Sequence, residues 1–208
     1  YRFENDEVDL SGNYDGTGTA IQYAAGRYGQ SASFNGSSSY ITLGSASSLV
    51  ATDFTFSAWI KTTSTSTRFI VGTNVNPYYS KVAVRSAGNG TISCRYGNYT
   101  SSENDFSSSY NTINNGAWHH IVYFINQTTA KLYIDGSLDT THTLTVTPTT
   151  NGDLTLGSYY NDNNNTYNTS IPWDGTIDQV RIFNKELSAA EVTTLYNENS
   201  LVASYRFE

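Results

Sequence analysis

Asp53-Phe54-Thr55-Phe56-Ser57-Ala58-Trp59-Ile60-Lys61 is the stretch whose reading decides the fold. Phe54, Phe56, Ala58 and Ile60 fall on one face of an extended chain, because successive side chains of a strand point to opposite sides. The spacing predicts a β-strand with one buried face. Trp118-His119-His120-Ile121-Val122-Tyr123-Phe124-Ile125 is aromatic and β-branched, and reads as a central strand. Lys131-Leu132-Tyr133-Ile134, Asp135-Gly136 and Ser137-Leu138 read as a hairpin, since Asp-Gly supplies the positive φ angles of a type I′ turn. Further such steps at Asp15-Gly16, Asn35-Gly36, Asn89-Gly90, Asn115-Gly116, Asn151-Gly152 and Asp174-Gly175 divide the chain into short strands. The pattern predicts an all-β, two-sheet antiparallel jelly-roll sandwich.

One segment breaks this pattern. Leu187-Ser188-Ala189-Ala190-Glu191-Val192-Thr193-Thr194-Leu195-Tyr196 reads as a short C-terminal helix. Ser188 and Glu191 form a capping box, and Leu187 with Val192 makes the hydrophobic staple around it. Residues 97–117 and 157–174, rich in Ser, Asn, Thr and Tyr, read as long loops.

The chain has 208 residues, net charge −7 and only 11 Lys and Arg, which argues against nucleic acid, whose phosphates need clustered cations. It contains no apolar run of the roughly 18 residues that would suggest membrane insertion. A single cysteine, Cys94, leaves no internal disulfide and reads as a buried apolar residue. Seventeen Tyr, no Met and a polar, weakly charged surface point to an extracellular or cell-surface protein. Asn164 and Asn168 head sequons in the second long loop and are the best placed glycosylation acceptors.

Tyr205-Arg206-Phe207-Glu208 repeats Tyr1-Arg2-Phe3-Glu4. Either a short strand is duplicated, or residues 1–200 are one domain of a tandem array and residues 201–208 begin the next copy. Leu201, Val202, Tyr205 and Phe207 would then form a strand that docks into a neighbour, with copies of this chain as partners. The alternative is pairing of that strand within its own domain.

In order and with natural spacing, several segments resemble the laminin-G-like, concanavalin A-like jelly-roll superfamily, and its microbial modules most closely. They are Tyr1 to Glu4 with Asp9-Leu10-Ser11-Gly12-Asn13, Gly26-Arg27-Tyr28-Gly29 leading to Phe34-Asn35-Gly36, Phe54 to Ile60, Gly116 to Ile121, Lys131 to Gly136, Gly175 to Asn184, and Leu187 to Val192. The resemblance implies a structural calcium near one end of the sandwich. Its oxygen ligands would come from Asp9, Asn13, a carbonyl around Gly36 to Ser38, and Asp178; the plain alternative is an Asx turn at 9–16 and an Asp178 that caps or pairs with Arg181.

Glycosidases on this sandwich need two carboxylates at controlled separation. No Glu-X-Asp-X-X-Glu pattern occurs, and Glu103-Asn104-Asp105 is the nearest approach. His119 and His120 are neighbours and face opposite sides of a strand, as packed histidines do. A non-enzymatic role follows. Tyr78, Tyr79, Tyr159, Tyr160, Tyr167 and Trp173 are the candidates for stacking on sugars from rim loops, though a subunit interface would use the same aromatics. Two roles remain in view: a structural or adhesive unit of a surface filament, and a calcium-supported carbohydrate-binding module.

Overall fold

A computed structural model describes residues 1–73, 82–98, 101–149, 152–161, 166–167 and 170–198. In chain order the elements are β1 (Thr17–Thr19), β2 (Gln22–Ala25), β3 (Gln30–Asn35), β4 (Tyr40–Ser45), the helical turn α1 (Ala46–Leu49), β5 (Phe54–Lys61) and β6 (Arg68–Gly72). There follow β7 (Ala83–Ser86), β8 (Ile92–Asn98), β9 (Ser101–Ser107), β10 (His119–Ile125), β11 (Thr129–Ile134) and β12 (Ser137–Thr143). The last are β13 (Asp153–Leu156), β14 (Tyr160–Asn161), β15 (Thr166–Tyr167), β16 (Asp174–Phe183) and α2 (Ala189–Asn197).

Two seven-stranded antiparallel sheets face each other, in the orders β1-β4-β13-β6-β7-β8-β9 and β12-β11-β10-β5-β16-β3-β2. The second sheet sends Phe54, Phe56, Ala58, Ile60, Ile121, Tyr123 and Ile125 into the core. The first sheet answers with Ile41, Leu43, Ile70, Val84, Cys94 and Leu156. This is the jelly-roll sandwich that alternation predicts. Asp135 and Gly136, with φ of 50° and 80°, turn the β11–β12 hairpin as a type I′ turn requires.

The structure differs from the sequence reading in three places. β5 is buried on both faces: Thr55, Ser57 and Trp59 are 0%, 1% and 4% exposed. The cause is α2, which packs Val192 and Leu187 on Val122 and Tyr133 and lays Tyr196 on Trp59 at 5.5 Å. Residues 97–117 are not one long loop, because β9 pairs with β8 from Ser93↔Ser107 onward. Tyr96 and Phe106, both buried, supply an apolar face that the polar residues around them conceal. Trp173 is not a rim residue: it is fully buried in the core and its Nε1 donates to Thr176 O. A ring with no exposed face cannot stack on a ligand.

Among the described residues no helix is long and apolar enough to cross a membrane. Residues 199–208, and with them Leu201, Val202, Tyr205 and Phe207, lie outside the described residues.

Candidate functional site

Strand alternation leaves one broad face of the first sheet turned away from the core. Tyr40 and Thr42 on β4, Thr155 on β13, Phe69 on β6, Arg85 on β7, Ser93 and Arg95 on β8, and Asp105 on β9 stand on it; their strand neighbours Ile41, Leu43, Leu154, Ile70, Val84 and Cys94 point inward.

At the β4 end the face is aromatic. Tyr167 stacks on Tyr40 with centroids 4.0 Å apart, and Tyr160 meets Tyr167 edge-on at 5.1 Å. The β14–β15 pairing places Tyr160 directly opposite Tyr167, so two short strands suffice to hold these rings. Thr42 Oγ1 donates to Tyr167 Oη at 3.0 Å, and burial raises the Tyr167 phenol above its ordinary value. Next along, Tyr159 tilts onto Phe69 at 4.5 Å. Gly72 makes that contact possible, since a Cβ there would lie 3.1 Å from both the Phe69 ring and Tyr159 Cβ.

The other end is charged. Arg95 grips Asp105 through Nε and Nη2 at 2.8 and 3.0 Å, and Arg85 Nη2 reaches Asp105 at 3.2 Å and Ser93 Oγ at 3.1 Å. Burial pulls the Asp105 carboxyl upward, but the Arg95 hydrogen bond and the two guanidinium charges outweigh it and hold it below its ordinary value. Asp105 is therefore an anion held in place, the opposite of a general acid, which needs a raised value. Arg85 also lies over Phe69 at 5.8 Å, which joins the charged and aromatic halves. Arg85 Nε and Thr155 Oγ1 are buried without hydrogen-bond partners.

Of the expected aromatics, Tyr159, Tyr160 and Tyr167 meet on this face. Tyr78, Tyr79, Asn164 and Asn168 lie outside the described residues. Tyr40, Phe69, Arg85 and Arg95 were not singled out from sequence, and Asp105 was noted only as part of the nearest approach to a catalytic carboxylate pattern. Their only signal was alternation with core residues on strands whose register the sequence leaves open.

The side chains of the residues expected at calcium each have partners within the protein. Asp9 Oδ2 accepts from Ser11 Oγ and Asn13 N, and Asn13 Nδ2 donates to Ser11 O at 3.2 Å, the arrangement of an Asx turn. Ser38 Oγ accepts from Asn35 Nδ2 at 3.0 Å. Asp178, fully buried, accepts backbone N–H groups from Arg27 at 2.8 Å, Tyr28 at 3.1 Å and Gln179 at 2.7 Å. Burial outweighs those bonds and pushes its carboxyl up to about 6. Arg181 pairs instead with Glu198 at 2.5 Å. Among the described residues no group of three or more His, Cys, Asp or Glu is placed to hold a metal.

The sequence matches the family model of the concanavalin A-like lectin/glucanase superfamily over residues 35–193. A search of curated proteins returned no significant match. Among solved structures, domain 4 of AbnA, a GH43 extracellular arabinanase from Geobacillus stearothermophilus in complex with arabinotriose, is 27% identical with a TM-score of 0.77, over 95% of this chain and 96% of that one. The binding domain of Paraclostridial Mosquitocidal Protein 1 is 21% identical with a TM-score of 0.70, over 91% of this chain and 48% of that one. The binding domain of botulinum neurotoxin serotype G is 19% identical with a TM-score of 0.67, over 89% of this chain and 47% of that one. These two toxin domains share the fold, and this chain spans about half of each.

Proposed function

This chain belongs to the concanavalin A-like lectin/glucanase superfamily, and we propose that it is a non-catalytic carbohydrate-binding module of an extracellular protein. The observation that carries the reading is the run of half-buried tyrosines 40, 159, 160 and 167 beside the Arg85–Asp105–Arg95 cluster on one sheet face. Flat rings give a sugar something to stack on, and fixed guanidinium and carboxylate groups give its hydroxyls directed partners. The likeness to a domain solved with arabinotriose, along nearly the full length of both chains, supports the same ligand class. A non-catalytic role is supported by Asp105, which two arginines keep ionised and so unable to serve as a general acid.

A glycan array followed by calorimetric titration tests this. Tyr40→Ala is expected to weaken binding at least about fivefold, since loss of one stacked ring costs on the order of 1 kcal/mol or more. Its circular dichroism should match wild type. Glycan affinity unchanged in both Tyr40→Ala and Arg95→Ala would move the site off this face, and binding to no glycan at all would sink the reading.

The terminal sequence repeat favours a wider setting, in which the module is one bead of an adhesive or filamentous surface protein. Negative-stain microscopy of the native material checks it: strings with a domain-sized axial repeat are expected, and dispersed single beads would refute it.

A further inference from the structure

α2 closes the outer side of the second sheet over Trp59 and His120, and one step further out the strands carry a different row. Lys61 pairs with Thr176, Thr176 with Ser33, and Ser33 with Gln22. Their strand neighbours Ile60, Ile177, Ala32 and Phe34 are in the core, so the paired side chains stand outward. His119 lies opposite Ile60, and the next step sets the half-buried Trp118 opposite Lys61. The row thus crosses from β10 to β2, a span of roughly 19 Å. At its β2 end a depression of about 390 Å³ opens between Gln22, Ser33 and Asn35. Thr176 Oγ1, in the middle of the row, is buried without a hydrogen-bond partner.

Arg27 borders the row. Its turn sits on Asp178, which accepts the N–H groups of Arg27 and Tyr28. Gly26 permits that approach, since a Cβ there would lie 2.7 Å from the Asp178 carboxylate and 2.5 Å from Gln30 O. The turn lays the Arg27 guanidinium 4.5 Å over the Trp59 ring and 5.1 Å over that of Tyr28. Other cations of the chain are committed: Arg85 and Arg95 to Asp105, Lys131 to Glu186, Arg181 to Glu198 and Lys185 to Glu191. Arg27 and Lys61 are exposed and have no ion-pair partner among the described residues.

We propose that this row is a second glycan site, separate from the face of the first sheet, and that its ligand is a chain of sugars bearing carboxylates. Arg27 offers a planar fork of N–H donors that two rings hold in place, and a carboxylate accepts such a fork in bidentate fashion. Lys61, two residues from Trp59 on the same side of β5, adds a point charge further along the row. Cations set apart in this way suit carboxylates that recur along a chain. Trp118 gives a sugar ring a flat face, and Thr176, Ser33 and Gln22 give its hydroxyls partners. Hydroxyls and an amide line the row in place of the apolar anchors from which a peptide ligand draws its affinity.

Calorimetric titration of the full 208-residue chain with oligogalacturonate tests the assignment, with the fully methyl-esterified oligomer and dextran sulfate as comparisons. The acid is expected to bind, and its methyl ester at least about tenfold more weakly. Arg27→Lys keeps the charge but removes the fork, and should weaken binding roughly tenfold; Lys61→Ala should do the same, both with wild-type circular dichroism. Tyr40→Ala and Arg95→Ala should leave this affinity unchanged. Affinity lost in Tyr40→Ala but kept in Arg27→Lys and Lys61→Ala would move the ligand to the first sheet, overturning the second site and leaving the carbohydrate reading intact. Equal affinity for acid and ester, or no binding of the acid, overturns the proposal while the glycan array still decides the first-sheet reading. Dextran sulfate bound as tightly as the acid would reduce the row to a charge effect and overturn the carboxylate assignment.

Discussion

Gly157 stands where the loop bearing the tyrosines leaves the sandwich. Its φ is 74°, its N–H donates to Ile70 O and its carbonyl accepts from Trp173 N, so the loop's two ends meet at this residue. A Cβ here would lie 2.4 and 2.5 Å from Phe34 Cδ1 and Cε1. The ring is in the core and cannot swing away, so Gly157→Ala combines a left-handed backbone with overpacking. The expected loss is about 2–4 kcal/mol, read by denaturant titration. Loss of less than about 0.5 kcal/mol would mean that the loop stem can move without cost. The same loop shows where single residues are hard to read. Tyr159, Tyr160, Tyr167 and Trp173 share one polar run, yet three rings stay half-buried on the sheet face and the fourth goes wholly into the core. Nothing local separates them; what decides is how far the loop folds back over Phe34 and Thr176.

α2 is the element whose sequence signal was most complete. Ser188 Oγ accepts from Glu191 N at 3.3 Å and Glu191 Oε2 accepts from Ser188 N at 2.8 Å, with Lys185 on the same carboxylate. Those contacts, the Lys185 bond foremost, lower the Glu191 carboxyl to about 2. A capping box is legible because all its partners lie within four residues. The Asp135-Gly136 hairpin was legible for the same reason. β9 was not, because its apolar residue, Phe106, is spaced among Ser, Asn and Asp and gains its partners only across the sandwich. The role of α2 was also hidden: its apolar side closes the outer face of the second sheet over Trp59 and His120. Ser188→Ala is expected to cost about 1 kcal/mol and to raise amide exchange over residues 189–197 first. Uniform exchange changes across β5 and β10 instead would show that the helix and the sheet open as one unit.

At the scale of the molecule, two buried titrating groups on the second sheet oppose each other. His120 donates to or accepts from Ser57 Oγ through Nε2 at 2.9 Å, while its buried Nδ1 has no partner. Burial, reinforced by Arg181 and only partly countered by Asp135, lowers it from 6.5 to about 4. The unfolded chain therefore binds this proton first, and stability is lost as pH falls from about 6.5 toward 4, by roughly 3 kcal/mol. Asp178 acts in the reverse sense. Its carboxyl, raised from 3.8 to about 6, takes up a proton in the folded state first, so stability is gained as pH falls from about 6 toward 3.8, again by roughly 3 kcal/mol. The two windows overlap almost completely, and the wild-type protein should show little slope from these groups between pH 6 and 4. Asp178→Asn removes the gain and should make stability fall steeply with acid; His120→Gln removes the loss and should make it rise. The readout is the slope of unfolding free energy against pH, which does not depend on what either substitution costs at neutral pH. Parallel slopes in the two variants would mean that neither group titrates as its burial dictates. Slopes of opposite sign would show that the balance between one buried acid and one buried base, on neighbouring parts of the same sheet, keeps this sandwich evenly stable through mild acid.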